Sequence, residues 1–250
     1  MSEHPYLLIH GLIGSLRDLA PVFHSQGIQA HTPDLLGYGA LQHVDPATIT
    51  LPGQVAHLAR WLTARDIERV HLAGHSVGGA IAMLFATAHP ASVASIHSVE
   101  GNFSLADAFW SASVAQMTAH EADAMLTQFR EKPEVWLARS GITTSASHRA
   151  TASSLLDNQP ASTIQATARS VVAVTGNADY PQAVRKVFEG PVPVHLIAGE
   201  RSKAGWNVPQ WALEKAASFT CLPGGHLMMV EDPARFVDAL TNSQKRARDR

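Results

Sequence analysis

Ser76 stands in the run GHSVGG, residues 74–79. A serine hydroxyl becomes a nucleophile when a base takes its proton and two donors await the oxyanion that forms. A sharp strand-to-helix turn exposes the hydroxyl and sets the positive end of a helix beside it. Such a turn strains the serine backbone and demands small neighbours two positions away on each side. Gly74 and Gly78 meet that demand, and Gly79 lets the helix approach closely. A bare G-x-S-x-G is common, so its flanks decide its meaning. RVHLAGHS (69–76) reads as a strand, and VGGAIAMLFATAHP reads as a helix apolar on nearly all faces, stopped by Pro90.

The chain carries 14 histidines, so most of them must do something other than catalysis. His24, His31, His43 and His57 sit where surface or packing roles are the default, and His71 and His195 lie inside strands. His75 adjoins Ser76, but at a sharp turn the neighbouring side chain is expected to point away. His226 follows the strand SFTCLPGGH, sits after Gly224-Gly225 and precedes the helix MMVEDPARFVDAL. That places it at the C-terminal edge of a sheet, where open α/β sheets build their sites. We therefore expect His226 to be the general base. A metal is the competing use of many histidines. No H-E-x-x-H and no close histidine pair on a convincing helix is present, and the single cysteine, Cys221, offers no thiolate cluster. Neither a metal nor another cofactor is expected.

The elements that must hold these residues follow from the apolar runs. YLLIHG (6–11), a short apolar run, and GIQAHTPD (27–34), RVHLAGHS, VASIHSVEG (93–101), VPVHLIAGE (192–200) and SFTCLPGGH (218–226) read as short strands. They alternate with helical patterns such as LPGQVAHLARWLTARD, which implies a parallel sheet covered on both faces. Between about Phe103 and Pro191 the pattern turns to alanine-, serine- and threonine-rich helical runs, including ADAFWSASVAQM and YPQAVRKVF, with SVVAVTG (170–176) the one further strand candidate. With 46% hydrophobic residues the 250-residue chain has enough apolar surface for a sizeable core. Charged residues make up 16% and the net charge is −2, which gives no footprint for nucleic acid or an anionic membrane. The longest apolar run, AIAMLFATA, is far too short to span a bilayer. MSEHPYLLIHG lacks the layout of a signal peptide, so the expected location is the cytoplasm. The basic tail residues Lys245, Arg246, Arg248 and Arg250 read as a solvated helix end.

These landmarks, taken in order, resemble the α/β-hydrolase superfamily over nearly the whole chain. HGLIGS (10–15) resembles its oxyanion loop, DLLGYG (34–39) its D-x-x-G-x-G turn, GHSVGG its nucleophile elbow, and GGHLMMVEDPARF (224–236) its histidine loop and final helix. The family's first two strands have no room before HGLIGS. The resemblance therefore implies an α/β fold with a trimmed sheet of six parallel strands, in the order 4-3-5-6-7-8 by the family's numbering, flanked by helices. It divides the chain into a hydrolase core, 1–102 and 180–250, and a helical cap or lid, 103–179, inserted between the family's strands 6 and 7. It also implies oxyanion donors at the backbone N–H groups of Leu12 and Val77, and makes His10 a loop organiser. The expected order is serine, acid, histidine.

The acid is where the chain departs from the pattern. Most members carry an aspartate after their seventh strand, in a pattern like G-x-x-D. The corresponding stretch here is GERSKAGW, with Ser202 at that position. A serine cannot supply the charge that orients and stabilises an imidazolium. Glu100, at the end of VASIHSVEG, resembles the acid of members that carry it one strand earlier, certain haloalkane dehalogenases among them. Glu200 is the alternative, two residues before the usual place. Asp107 and Asp179 are outsiders.

A serine nucleophile with a base, an acid and an oxyanion hole implies acyl transfer to water. The expected activity is hydrolysis of a small, largely uncharged carboxylic ester or lactone. A carbon–carbon bond hydrolase, a thioesterase or a lyase of the same fold, and a non-catalytic small-molecule receptor, remain alternatives. Phe103, Phe109, Trp110 and Trp136 are expected to wall the acyl pocket, with Trp206 reaching in from the loop after the fifth strand of this chain. The expected partner is a small molecule, not nucleic acid or membrane, with the protein a monomer or homodimer.

Overall fold

The computed structural model describes residues 4–142 and 144–248, with side chains of the last helix described through residue 242. Lys245, Arg246, Arg248 and Arg250 therefore lie outside the described side chains. Six strands form one parallel sheet among the described residues: β1 (Tyr6–Ile9), β2 (Ala30–His31), β3 (Val70–His75), β4 (Val93–Val99), β5 (Val194–Gly199) and β6 (Ser218–Leu222). Their order is β2-β1-β3-β4-β5-β6, as the trimmed-sheet expectation requires. β1, β3 and β5 are buried at every position, because helices cover both faces of a parallel sheet. β2 is much shorter than the stretch 27–34 suggested. It pairs only with β1, through Tyr6–Ala30 and Leu7–His31, and forms an edge of the sheet.

Helices α1 (Ala20–Ser25), α2 (Leu51–Thr63) and α3 (Val77–Ala88) lie between the first four strands. α2 starts at a cap: the Thr50 hydroxyl accepts from the Gly53 N–H, and Pro52 occupies the first turn, where its missing donor costs nothing. α3 is apolar all round because it packs between the sheet on one side and α2 on the other. After β4 come α4 (Phe109–Gln116), α5 (Ala119–Glu131), α6 (Pro133–Arg139), α7 (Ala146–Leu156) and α8 (Ala161–Thr175). They pack mainly on one another, α8 against α4 and α5, and α6 against α7. α9 (Asp179–Glu189) returns to α3. α10 (Gln210–Lys215), α11 (Met228–Glu231) and α12 (Pro233–Arg248) complete the fold. α12 and α1 cover the sheet face opposite α3, where the Tyr6 hydroxyl donates to the Leu240 carbonyl.

Two expectations need correction. SVVAVTG is not a strand; its first six residues are the last turns of α8. Ile164, Ala168, Val171 and Thr175 are all buried, and their spacing of four, three and four is a helical stripe that outweighs the β-branched run. The closing helix is two helices, since Pro233 cannot continue α11 and instead opens α12. Among the described residues no helix is long and apolar enough to cross a membrane.

Candidate active site

Five chain segments leave the sheet at one edge. Strand ends β1, β3, β4, β5 and β6 stop at Ile9, His75, Val99, Gly199 and Leu222, so His10, Ser76, Glu100 and Glu200 are each the first residue beyond a strand. Ser76 has φ 53° and ψ −120°, a conformation that a side chain makes costly. Its N–H donates to the Val99 carbonyl at 2.9 Å, and its carbonyl accepts from the Gly79 N–H at 2.8 Å. A Cβ at Gly78 would overlap the Ile9 carbonyl oxygen, and one at Gly74 would overlap the Gly78 carbonyl. Both glycines are therefore demanded by close backbone approach.

Glu100 is a second strained residue, at φ 43°. Its side chain, only 3% exposed, turns along the sheet edge towards the loop that follows β6. Oε2 lies 2.5 Å from His226 Nδ1, while Oε1 accepts from the Gly199 N–H at 2.8 Å and from the Ser202 hydroxyl at 2.5 Å. Burial raises the carboxyl's pKa; the donors from His226, Ser202 and Gly199 outweigh it, so the group sits below the ordinary 4.5 and is ionised. An ionised carboxylate only accepts, so His226 Nδ1 must carry the proton of that bond. In neutral His226 the lone pair is then on Nε2. The imidazole is 36% exposed, and its Nε2, like Ser76 Oγ, has no hydrogen-bond partner among the described residues. Such links are often long without substrate and tighten on binding. Glu200 does not meet His226. It is exposed, its N–H donates to the Leu222 carbonyl at 2.8 Å, and it does not border the cavity described below.

His75 was expected to point away from Ser76; what the sequence did not suggest is that it meets His226. Its ring lies 4.6 Å from the His226 ring, and its Nε2 bonds the His226 carbonyl at 2.9 Å. Burial first, then the neighbouring His226, lower its pKa to about 3, so it stays neutral and donates that bond. On the other side, the His226 N–H donates to the Ser140 carbonyl at 3.1 Å.

The His10–Ser15 loop is tied down at several atoms. His10 Nδ1 bonds the Gly11 carbonyl at 2.8 Å, and burial lowers its pKa to about 4, consistent with an organising role. The Tyr38 hydroxyl donates to the Leu12 carbonyl at 2.8 Å. The Gly14 N–H donates to Gln159 Oε1 at 2.9 Å, and the Asn158 amide donates to the Gly14 carbonyl at 2.8 Å. The N–H groups of Leu12 and Val77, by contrast, have no partner among the described residues.

Ser76, His226, Glu100 and Leu12 border one cavity of about 340 Å³. Phe109, Trp110, Trp136 and Trp206 also border it; Phe109 is 71% exposed at its edge, and Trp206 is fixed by a 2.7 Å bond from Nε1 to the Gly101 carbonyl. Phe103 does not reach the cavity. It is buried behind Trp206, against Phe188 and Trp211. Sequence reasoning missed two arginines of the wall, Arg139 and Arg201; the second is neutralised by Glu231 at 2.5 Å. Asp107 is spent on backbone: it accepts from the N–H groups of Phe103, Ser104 and Asn207. Among the described residues no group of three or more potential ligands is arranged to hold a metal.

The alpha/beta hydrolase family model matches residues 6–239. The chain belongs to that family. It is 31% identical to Lipase 1 of Psychrobacter immobilis over 116 residues, 46% of this chain and 35% of the lipase, so the chain spans about a third of that relative's length. It is 30% identical to an uncharacterized protein of Mycobacterium bovis, with 93% of this chain and 72% of the relative covered. Among solved structures, a thermophilic esterase from Thermogutta terrifontis superposes with TM-score 0.71 at 19% identity, covering 98% of this chain and 91% of the esterase. That identity speaks for the fold alone.

Proposed function

We propose that this α/β hydrolase cleaves small, largely uncharged carboxylic esters or lactones through an acyl-enzyme on Ser76. The observation that carries the reading is the Glu100–His226 pair, with Nδ1 held at 2.5 Å by an ionised carboxylate, in the cavity that also holds Ser76. Nε2 of His226 takes the Ser76 proton as Oγ attacks the carbonyl carbon. The oxyanion is received by the unpartnered N–H groups of Leu12 and Val77. The C–O bond breaks as Nε2 returns the proton to the departing alcohol. Water, activated by the same nitrogen, then releases the acid and restores Ser76. In this reading Glu100 is the acid of the triad and Glu200 is not. Helices α4–α8 act as the cap, their aromatic residues Phe109, Trp110 and Trp136 facing the acyl group together with Trp206. The site needs no cofactor, and its action is cytoplasmic.

The test is hydrolysis of p-nitrophenyl acetate, butyrate and octanoate by the protein and by Ser76→Ala. Loss of at least about 10³-fold in kcat supports the reading, since a triad works as a unit. Equal, feeble rates in both would remove ester hydrolysis at Ser76 and turn attention to carbon–carbon bond cleavage or to ligand binding without turnover.

A further inference from the structure

Ser202 stands where the family pattern has its usual aspartate, and its hydroxyl is turned onto Glu100. The two oxygens of that carboxylate are divided between tasks. Oε2 faces His226 alone, whereas Oε1 receives the Gly199 N–H at 2.8 Å and the Ser202 hydroxyl at 2.5 Å. Ser202 Oγ has one other acceptor in reach, the Gly199 carbonyl at 3.4 Å, a much poorer bond. The serine is itself fixed by a tight turn: its N–H donates to the Gly199 carbonyl at 3.2 Å, and its carbonyl accepts from Gly205 at 2.9 Å. A Cβ at Gly199 would come within 2.5 Å of the Gly225 carbonyl oxygen and 2.8 Å of both the Gly224 carbonyl oxygen and Ser202 Oγ, so the glycine lets the end of β5 sit close to the His226 loop and to Ser202.

We infer that Ser202 is a positioning residue for Glu100, a hydroxyl that locks Oε1 so that Oε2 is presented to His226 Nδ1. The inference rests on the reading in which Glu100 is the acid of the triad. Glu100 reaches across from a neighbouring strand on a longer side chain than aspartate, with one more rotatable bond to restrain. It leaves the sheet at a strained φ of 43°, so the backbone aims the side chain and two donors on the β5 loop hold its far oxygen. The vacated acid position thus keeps a part in the machinery: it supplies the donor where it no longer supplies the charge. Removing that donor leaves the charge of Glu100 less well solvated in a buried site, so the Glu100 carboxyl, which the Ser202 bond helps to hold below its ordinary range, takes up a proton at higher pH.

The experiment compares wild type, Ser202→Ala, Glu100→Gln and the double variant, by kcat and by the pH profile of kcat/KM on p-nitrophenyl butyrate. Thermal melting of each variant establishes that it is folded. Ser202→Ala is expected to lower kcat about tenfold, the scale of one hydrogen bond to a charged group, and to move the acid limb of kcat/KM to higher pH. In the Glu100→Gln background the same substitution is expected to change kcat by less than about twofold, because the group it acts through is gone. An unmoved acid limb, or an equal loss of activity in both backgrounds, would overturn the positioning role and leave a structural one. A Glu100→Gln variant as active as wild type would instead overturn the assignment of the acid itself. The two failures are therefore read from different columns of the same experiment.

Discussion

Replacing Glu100 by glutamine changes one atom's chemistry and almost no volume, yet the surroundings of that carboxylate allow no comfortable amide. All donors converge on it: His226 Nδ1 on Oε2, and the Gly199 N–H with the Ser202 hydroxyl on Oε1. If the new NH₂ faces His226, two donors confront each other. The imidazole then moves its proton to Nε2 and loses the lone pair that must accept from Ser76. If the NH₂ faces the other way, it confronts the Gly199 N–H, a backbone donor that cannot rotate. Either arrangement forfeits a charge-assisted bond of about 1.5–3 kcal/mol. The imidazolium formed during attack also loses its neighbouring charge, worth about as much again. The sum of about 3–6 kcal/mol corresponds to a loss in kcat between about 10² and 10⁴-fold. Glu200→Gln, at an exposed position away from the cavity, should stay within about twofold. The assay is steady-state hydrolysis of p-nitrophenyl butyrate at pH 8, with urea unfolding to check stability. Glu100→Gln within threefold of wild type, or Glu200→Gln losing as much activity, would refute the reasoning.

Tyr38→Phe removes the donor to the Leu12 carbonyl, so the loop that presents the Leu12 N–H loosens. A loss of about tenfold in kcat with KM little changed is expected from steady-state kinetics, and an equal rise in KM alone would contradict the assignment. Phe109 is 71% exposed at the cavity edge, so Phe109→Ala should shift unfolding by less than about 0.5 kcal/mol while reducing the preference for octanoate over acetate esters. A destabilised protein with unchanged chain-length preference would place Phe109 in the core instead. Burial lowers the pKa of His195 to about 4 and that of His97 well below the ordinary 6.5, where its histidine neighbours add to the effect. In that window the unfolded chain binds more protons than the folded one, so stability is full above about pH 6.5 and falls as the pH drops towards 4. His195 alone accounts for up to about 3 kcal/mol; urea midpoints that are equal at pH 7 and pH 5 would be inconsistent with these neutral histidines.

The sheet was legible because each buried strand is a short run rich in apolar residues between helical patterns, although His71, His97 and His195 interrupt three of them, and the nucleophile turn because backbone contact at Gly74 and Gly78 excludes any other residue. The same logic failed where local pattern and tertiary setting diverge. Val171, Val172 and Val174 favour a strand locally, but they continue a helix whose buried stripe begins ten residues earlier. The stretch 27–34 suggested a longer strand, but among the described residues β2 pairs with β1 at just two positions, and β1 is itself four residues long. At the site, residues directly after a strand, Ser76 and Glu100, or in the short loop after one, His226, could be placed from sequence at one sheet edge. Phe103 follows only three residues after Glu100, yet the turn of the chain sends its ring into the core rather than the cavity. The contact of His75 with His226 spans 151 residues, and that of Ser202 with Glu100 spans 102; no local pattern carries either.

The long-range contacts also tie the helical insertion to the loops at the sheet edge. The turn after α6 supplies the Ser140 carbonyl that receives the His226 N–H, and the Gly141 carbonyl that receives Arg201 Nε at 3.0 Å. The link between α7 and α8 supplies Asn158 and Gln159, which hold Gly14 from both sides, and Asn158 also accepts the Gly39 N–H at 2.8 Å. Gln159 is wholly buried, and its amide nitrogen is spent on the Leu155 and Leu156 carbonyls, so its oxygen has a fixed direction. Two of the loops that carry the proposed chemistry, one bearing Leu12 and one bearing His226, are thus anchored by residues of the insertion as well as by the core, where Tyr38 holds the Leu12 carbonyl and His75 the His226 carbonyl. The nucleophile turn takes its geometry from the core, through Ile9, Gly74 and Gly78. In the proposed reading, a displacement of α6–α8 would be felt at both the Leu12 loop and His226, because Ser140, Asn158 and Gln159 bond to them.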